Sequence, residues 1–145
     1  MTIDFKYVIS VGLRELISLQ NNLKNVTLRS HHCYKDNEMK DMKDIIPLLI
    51  KSSLTLTKLT LIEYYIPLSF IANFTNLQEL ILDLDSFNDF NQLQYANFLQ
   101  LKVLKFMHLI PKIEMLIKFL EINGKNLTEF CINRFRGNVD LINLV

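Results

Sequence analysis

One spacing of apolar residues recurs along the chain. Residues 77–84 fit the pattern Leu-x-x-Leu-x-Leu, in which x is mostly a polar residue. Five copies of the pattern begin at Leu23, Leu56, Leu77, Leu101 and Leu127, at separations of 33, 21, 24 and 26 residues. Because alternating side chains of a strand point to opposite faces, each copy predicts a β-strand with one buried face.

Apolar residues at helical spacing lie between these strands. The pattern predicts helices over residues 9–20, from Asp44, from Pro67, more weakly over residues 90–98, and from Pro111 to Gly124. Proline is tolerated in a first helical turn because the amide that it lacks would be unpaired there. Glycine ends a helix readily because it adopts a positive φ at little cost. Strands and helices in alternation predict an α/β fold with a parallel sheet.

Two of these helices have apolar stripes that we expect to be buried. In the helix after Pro111, Ile113, Leu116, Ile117 and Leu120 stand at positions i, i+3, i+4 and i+7. In the first helix, Ile9, Leu13, Leu16 and Ile17 also fall at helical spacing. Both stripes are therefore expected to face the strands.

Three further segments complete the predicted secondary structure. Residues 1–8 alternate briefly between polar and apolar side chains, which predicts a short strand. Residues 29–43 are polar without apolar periodicity and are predicted to form a loop. Residues 138–145 predict a last short helix, capped by Asn138 or Asp140 and buried through Leu141, Ile142, Leu144 and Val145.

The residues between the buried anchors stand on the opposite face of the predicted sheet. Parallel sheets are normally covered on both faces, so a sheet with helices on one face only has a second face open to a partner. Apolar residues with charged neighbours are typical of protein-binding surfaces. The candidate partner-binding residues are Lys58, Thr60, Ile62, Glu79, Ile81, Asp83, Val103, Lys105, Met107 and Glu129.

Composition narrows the class of protein and its location. A chain of 145 residues is expected to be one domain, residues 1–145, and its net charge of +1 lacks the basic excess of nucleic-acid-binding domains. No apolar run approaches the roughly 18 residues of a membrane span. Its two cysteines, Cys33 and Cys131, are far apart in the sequence, which favours reduced thiols in the cytoplasm or nucleus.

Catalytic and metal chemistry have little support in the sequence. His31, His32 and Cys33 form one cluster of metal-ligand types, but adjacent residues of an extended chain point to opposite faces and no second pair stands at zinc-site spacing. A Cys33 nucleophile with His31, His32 or His108 as base would need a cleft and an orienting group. Only three glycines occur, without a phosphate-binding loop. We therefore predict a non-enzymatic chain without metal or cofactor.

Three runs carry a resemblance to a known family. Residues 22–28, 76–82 and 126–132 each read Asn-Leu-x-x-apolar-x-apolar after a predicted helix, and leucine-rich repeats are roughly 20 to 29 residues long. The sequence resembles leucine-rich-repeat proteins of the ribonuclease-inhibitor-like superfamily, particularly the divergent F-box-type proteins of some fungi. The resemblance implies a curved solenoid of about five irregular repeats, with a parallel sheet on the concave face and helices on the convex face.

The sequence departs from this family in two places. Regular repeats carry Asn or Cys three positions after the last anchor, where this chain has His31, Tyr64, Asp85, Leu109 and Phe135. We therefore expect irregular turns. The Leu-Pro opening of an F-box has no match before Pro47, so contact with a ubiquitin-ligase adaptor is expected only of a longer relative. The apolar residues 141–145 lack the polar cap expected at the end of an array.

Two functions fit this sequence. The first is a protein-interaction module that binds a protein partner through the concave strand face; the resemblance to F-box-type proteins implies substrate recognition for a cullin-type ubiquitin ligase. The second is a regulatory or inhibitory subunit that binds an enzyme directly, as other members of the superfamily do. Neither involves nucleic acid or a membrane.

Overall fold

A computed structural model of the chain describes residues 1–4, 11–29, 36–63, 67–84, 90–134 and 138–142. These residues form a seven-stranded sheet in which the strands are neighbours in chain order. The strands are β1 (Thr2–Asp4), β2 (Asn25–Arg29), β3 (Lys58–Ile62), β4 (Glu79–Asp83), β5 (Val103–Phe106), β6 (Glu129–Arg134) and β7 (Asn138–Ile142). Strands β1 to β6 are parallel, and β7 is antiparallel to β6.

Helices form a second layer beside the sheet. The helices are α1 (Val11–Leu19), α2 (Asp36–Ile50), α3 (Phe90–Leu93) and α4 (Ile113–Asn123), with 3₁₀ helices at Leu68–Asn73 and Gly124–Asn126. Helix α1 contacts α2, α2 and α3 both contact the first 3₁₀ helix, and α3 contacts α4. The helices therefore follow one another in the same order as the strands.

One face of the sheet is buried by this helical layer. In β3 and β4 the burial alternates strictly, with Leu59, Leu61, Leu80 and Leu82 inaccessible and the residues between them partly exposed. The register places Leu59 beside Leu80 and Leu61 beside Leu82. These anchors belong to the same buried cluster as residues of the helices. The predicted α/β class and the parallel sheet are confirmed, and so is the facing of strands β2 to β5.

Neighbouring strands are joined by the same backbone contact before each strand begins. The carbonyl of Thr57 accepts the amides of Gln78 and Glu79, at 2.8 and 2.9 Å. We call one strand with the segment that leads to it from the preceding strand a unit. Three equivalent carbonyls, those of Lys24, Gln78 and Lys102, each accept two amides from the following unit. Successive units of this region therefore meet in nearly the same geometry.

Two asparagines also join neighbouring units of the chain. Asn76 Nδ2 donates to the carbonyl of Leu54 at 2.6 Å, and Asn126 Nδ2 donates to the carbonyl of Leu99 at 2.9 Å. Each asparagine directly precedes a first anchor leucine. This bond gives a physical reason for the Asn-Leu pair in two of the three similar runs.

A buried polar side chain links α4 to the preceding unit. Asn123, which is 2% exposed, accepts the amide of Phe98 through Oδ1 at 2.7 Å. Its Nδ2 donates to the carbonyls of Ala96 and Phe119, at 2.9 and 3.0 Å. The side chain thus satisfies backbone groups of two elements inside the core, as buried polar groups require.

The start of α2 corrects one prediction. The helix begins at Asp36, eight residues before the expected Asp44, so the second half of the predicted loop is helical. Pro47 consequently lies inside the helix instead of in its first turn. In residues 36–43 only Met39 and Met42 are apolar, and they stand at helical spacing before Ile46. The prediction of a polar loop did not include this sparse stripe.

The exposed side of two helices corrects another prediction. On α4, Leu116 and Phe119 are buried, whereas Ile113 and Ile117 are 57% and 49% exposed. Leu16 on α1 is also about half exposed, while Ile17 is buried as expected. The buried side of α4 consists of Leu116, Phe119 and Asn123. Because Asn123 is polar, a stripe predicted from apolar residues alone does not include it.

Helix α4 ends at Asn123 with Gly124 as its C-cap residue, as predicted, but two other predictions near the carboxyl terminus are wrong. Gly124 has φ −68° and ψ −26°, so it continues into a 3₁₀ turn instead of adopting a positive φ. The helix expected after Asn138 is instead strand β7, which pairs with β6. Its residues extend a sheet edge that offers backbone partners, and this tertiary pairing outweighs the helical spacing.

Several predictions fall on residues outside the described ranges. These are residues 5–10 at the start, the three residues His31, His32 and Cys33, the turn positions Tyr64, Asp85 and Phe135, and residues 143–145. Leu109, the remaining turn position, is described and is 46% exposed. The short strand expected at the beginning is confirmed as β1.

Candidate partner-binding face

The ten candidate residues lie together on the face of the sheet that the helices leave uncovered. All ten are partly exposed. We call these ten residues and the adjoining His108 the open face. They come from strands β3, β4 and β5, the start of β6 and the first residues after β5. Strand alternation places them here because the anchors between them turn toward the helices.

The register arranges the open face in rows across the strands. Lys58 lies beside Glu79, Glu79 beside Val103, and Val103 beside Glu129. The next row begins two residues further along each strand, and Ile81 lies there between Thr60 and Lys105. Apolar and charged side chains are therefore direct neighbours.

Two ion pairs cross between strands on this face. Lys58 Nζ lies 2.9 Å from Glu79 Oε1, its direct neighbour in the row. Lys105 Nζ lies 2.7 Å from Glu129 Oε1, one row away and diagonally across β5 and β6. Such cross-strand pairs of opposite charge are compatible with the sheet register and stabilise it modestly.

The two pairs are electrostatically connected through Lys105. The hydrogen bond to Glu129 is the largest cause that raises the pKa of the Lys105 ammonium above 10.5, and partial burial opposes it. The negative charge of Glu79 also raises this pKa. Lys58, Glu79, Lys105 and Glu129 thus form a line of alternating charge across four strands, which we call the charge line.

A third polar contact lies at the other end of the strands. Asp83, the last residue of β4, pairs through Oδ1 with Nδ1 of His108, which follows β5. From the sequence, His108 was a candidate only as a base for Cys33. The position of Asp83 at the end of one strand and of His108 beyond the next was visible in the sequence, but the bend at residues 107 and 108 was not.

A cysteine lies beside the open face. Cys131 lies at the edge of this face in the row of Lys105, is 7% exposed and has a free thiol. In the described part of the chain, no three His, Cys, Asp or Glu side chains converge as a metal site would require. No helix among the described residues is long and apolar enough to span a bilayer.

Comparisons of the chain with models of protein families, with curated proteins and with solved structures give no match.

Proposed function

We propose that the chain is a leucine-rich-repeat domain of the ribonuclease-inhibitor-like superfamily, a curved solenoid that binds a protein partner through its open face. One observation carries the proposal: the parallel strands are buried on one face and remain partly exposed on the other. Parallel sheets are normally covered on both faces. A partner that covers the open face would complete the arrangement.

The side chains of the open face favour a protein as that partner. Ile62, Ile81, Val103 and Met107 are partly exposed among charged neighbours. Protein interfaces combine apolar contact with a polar surround in this way. The backbone groups of the inner strands already pair within the sheet, so recognition at this face relies on side chains.

The biological role follows from the resemblance to F-box-type proteins. On that basis we propose that the bound protein is a substrate presented to a cullin-type ubiquitin ligase. This finer role rests on the resemblance of the repeat motifs alone. Direct binding to an enzyme without a ligase is the outcome that would replace it.

A pair of matched double variants tests the binding face. Ile62→Gln/Ile81→Gln removes two partly exposed isoleucines from the open face, and Ile113→Gln/Ile117→Gln removes two exposed isoleucines from α4. Each variant is used as bait beside the original chain, with circular dichroism to show that folding is retained. We expect partners recovered with the original chain to fall at least about tenfold with the first variant, a loss of about 1.4 kcal/mol, and to persist with the second.

The reverse result would place binding on the helices and refute the proposal. The identity of the recovered proteins tests the finer role in the same experiment. A ligase adaptor recovered with a full-length version of the protein supports substrate presentation. An enzyme recovered without any ligase component would leave the binding face intact but contradict the ubiquitin role.

A further inference from the structure

The four charged side chains of the charge line compensate one another in pairs. Strands β3 to β6 carry Lys58, Glu79, Lys105 and Glu129 as two ion pairs. The fifth charged side chain among the ten candidate residues, Asp83, pairs with His108. The charge line therefore presents alternating charges of both signs and no excess of either.

Charge compensation of this kind limits what the face attracts from solution. An excess of one sign would steer an oppositely charged partner toward the surface. A line of alternating charges produces a weak field beyond the distance between its members because neighbouring charges cancel. A charged group of the partner would also have to displace a protein group already bound at 2.7 or 2.9 Å.

The apolar side chains of the open face are consequently the groups that remain available for contact with a partner. Ile62 lies directly beside Asp83 in the last row of the face. Ile81 lies two residues before Asp83 on the same strand, and Met107 follows the residue paired with Leu82. By strand register these three residues are therefore neighbours of Asp83, which pairs with His108.

We propose that the open face recognises an apolar protein segment of little net charge, and that the charge line disfavours strongly acidic and strongly basic segments alike. This inference rests on the proposed function, because it specifies the chemistry of the partner at the same face. Like charges brought together at an interface cost binding energy. Specificity here arises from both signs of charge standing beside the apolar contact.

Two single substitutions should change the preference in opposite directions. Lys105→Gln leaves Glu129 without its cation, so the face gains a net negative charge. Glu129→Gln leaves Lys105 without its hydrogen-bonded anion, so the face gains a net positive charge. The combined variant Lys105→Gln/Glu129→Gln is again compensated. The sign of each change follows from the pair alone and does not depend on which protein binds.

The test uses a random-peptide phage library as its probe. The library is selected on the immobilised full chain and on the three charge variants, and the control is Ile113→Gln/Ile117→Gln on α4. We expect apolar peptides of near-zero net charge on the original chain, basic peptides on Lys105→Gln and acidic peptides on Glu129→Gln. The combined variant should again select near-neutral peptides. Affinity of a selected peptide for the original chain should change less than about twofold between roughly 50 and 500 mM NaCl.

Each other outcome contradicts either the inference or the proposed function. Strongly charged peptides on the original chain, or the same peptides on all charge variants, would overturn the inference while leaving the binding face in place. Peptides whose binding is lost with Ile113→Gln/Ile117→Gln but kept with Ile62→Gln/Ile81→Gln would instead refute the proposed function. A library without any enriched peptide would overturn the inference, since a linear apolar segment would then be insufficient.

Discussion

At the scale of single residues, Asn123 holds two units of the chain together from inside the core. Replacement by Ala would leave the amide of Phe98 and the carbonyl of Ala96 buried without a side-chain partner. Unpaired buried groups are expensive, so we expect Asn123→Ala to lower the free energy of unfolding by about 2 to 4 kcal/mol. Urea denaturation measures this loss.

The exposed Asn126 provides the control for that prediction. It makes one comparable bond to the carbonyl of Leu99 but from an exposed position. Asn126→Ala should therefore cost about 1 kcal/mol or less. Equal losses for the two variants would show that burial is not what makes Asn123 important.

Gly124 offers a substitution that should stabilise the chain. Its φ of −68° is accessible to any L-residue, and a Cβ placed there would lie 3.7 Å from Cβ of Leu120, an ordinary contact. Gly124→Ala should raise the free energy of unfolding by about 0.4 to 1 kcal/mol because the unfolded chain loses freedom. A destabilised variant in urea denaturation would favour the positive φ that the sequence predicted.

Lys105 makes stability depend on alkaline pH. Its pKa is raised in the folded chain, mainly by the hydrogen bond to Glu129. A raised pKa of a cation contributes stability below about pH 10.5 that is lost as pH rises through the folded-state value. Both side chains are partly exposed, at 27% and 38%, so the contribution is about 0.2 to 1 kcal/mol.

Glu129→Gln removes this contribution and serves to measure it. The difference in unfolding free energy between the original chain and the variant is determined by urea denaturation from neutral pH to pH values above the pKa of Lys105. We expect a constant difference at neutral and mildly alkaline pH that shrinks at high pH. A difference that grows at high pH would contradict the assigned direction of the shift.

At the scale of elements, the facing of β4 is the feature that the sequence predicts most directly. Leu80 is fully buried, whereas the adjacent Glu79 is partly exposed on the open face. Leu80→Asp should unfold the chain because it places an unpaired charge in the core. Glu79→Lys loses the pair with Lys58 and should cost about 1 kcal/mol or less. Circular dichroism during thermal unfolding distinguishes them, and equal damage would contradict the alternation.

The strands β2 to β6 were predicted more accurately than the start of α2 and the buried side of α4, for a physical reason. A strand of this sheet has to bury every second residue, so its period appears in anchors such as Leu80 and Leu82 of β4, followed by the buried Leu84. The helices bury a narrower set of residues and can include long polar stretches. The first turns of α2 are polar apart from Met39 and Met42, and the buried Asn123 of α4 is polar. Apolar spacing therefore misplaced one helix start and one buried stripe.

The pairing of charges on the open face was predictable only in part. The sequence indicated that Lys58 and Glu79 share a face, because both are intervening residues of their strands. It did not fix the register that makes them direct neighbours. The diagonal contact from Lys105 to Glu129 and the contact from Asp83 to His108 also depend on side-chain directions and on a bend. Spacing along one strand contains no such information.

At the scale of the whole molecule, each strand contacts the strands that precede and follow it in chain order, and each helix contacts the neighbouring helices. Damage at one end should therefore remain local. Phe119 is buried and its ring lies 5.7 and 6.1 Å from those of Phe90 and Phe98. Phe119→Ala should weaken amide protection in β5 and β6 more than in β2 and β3. Hydrogen exchange followed by mass spectrometry measures this gradient, and uniform loss across the sheet would contradict it.

The agreement between strand order and chain order also has a mechanical consequence. A force applied to the two ends of the chain loads the outermost strands first, and each strand in the middle is held by its two neighbours only. The contacts made by the carbonyls of Thr57, Gln78 and Lys102 would then break one unit after another. Under tension this molecule should lengthen in a series of small steps, each releasing one strand and its crossover, instead of rupturing as a single block.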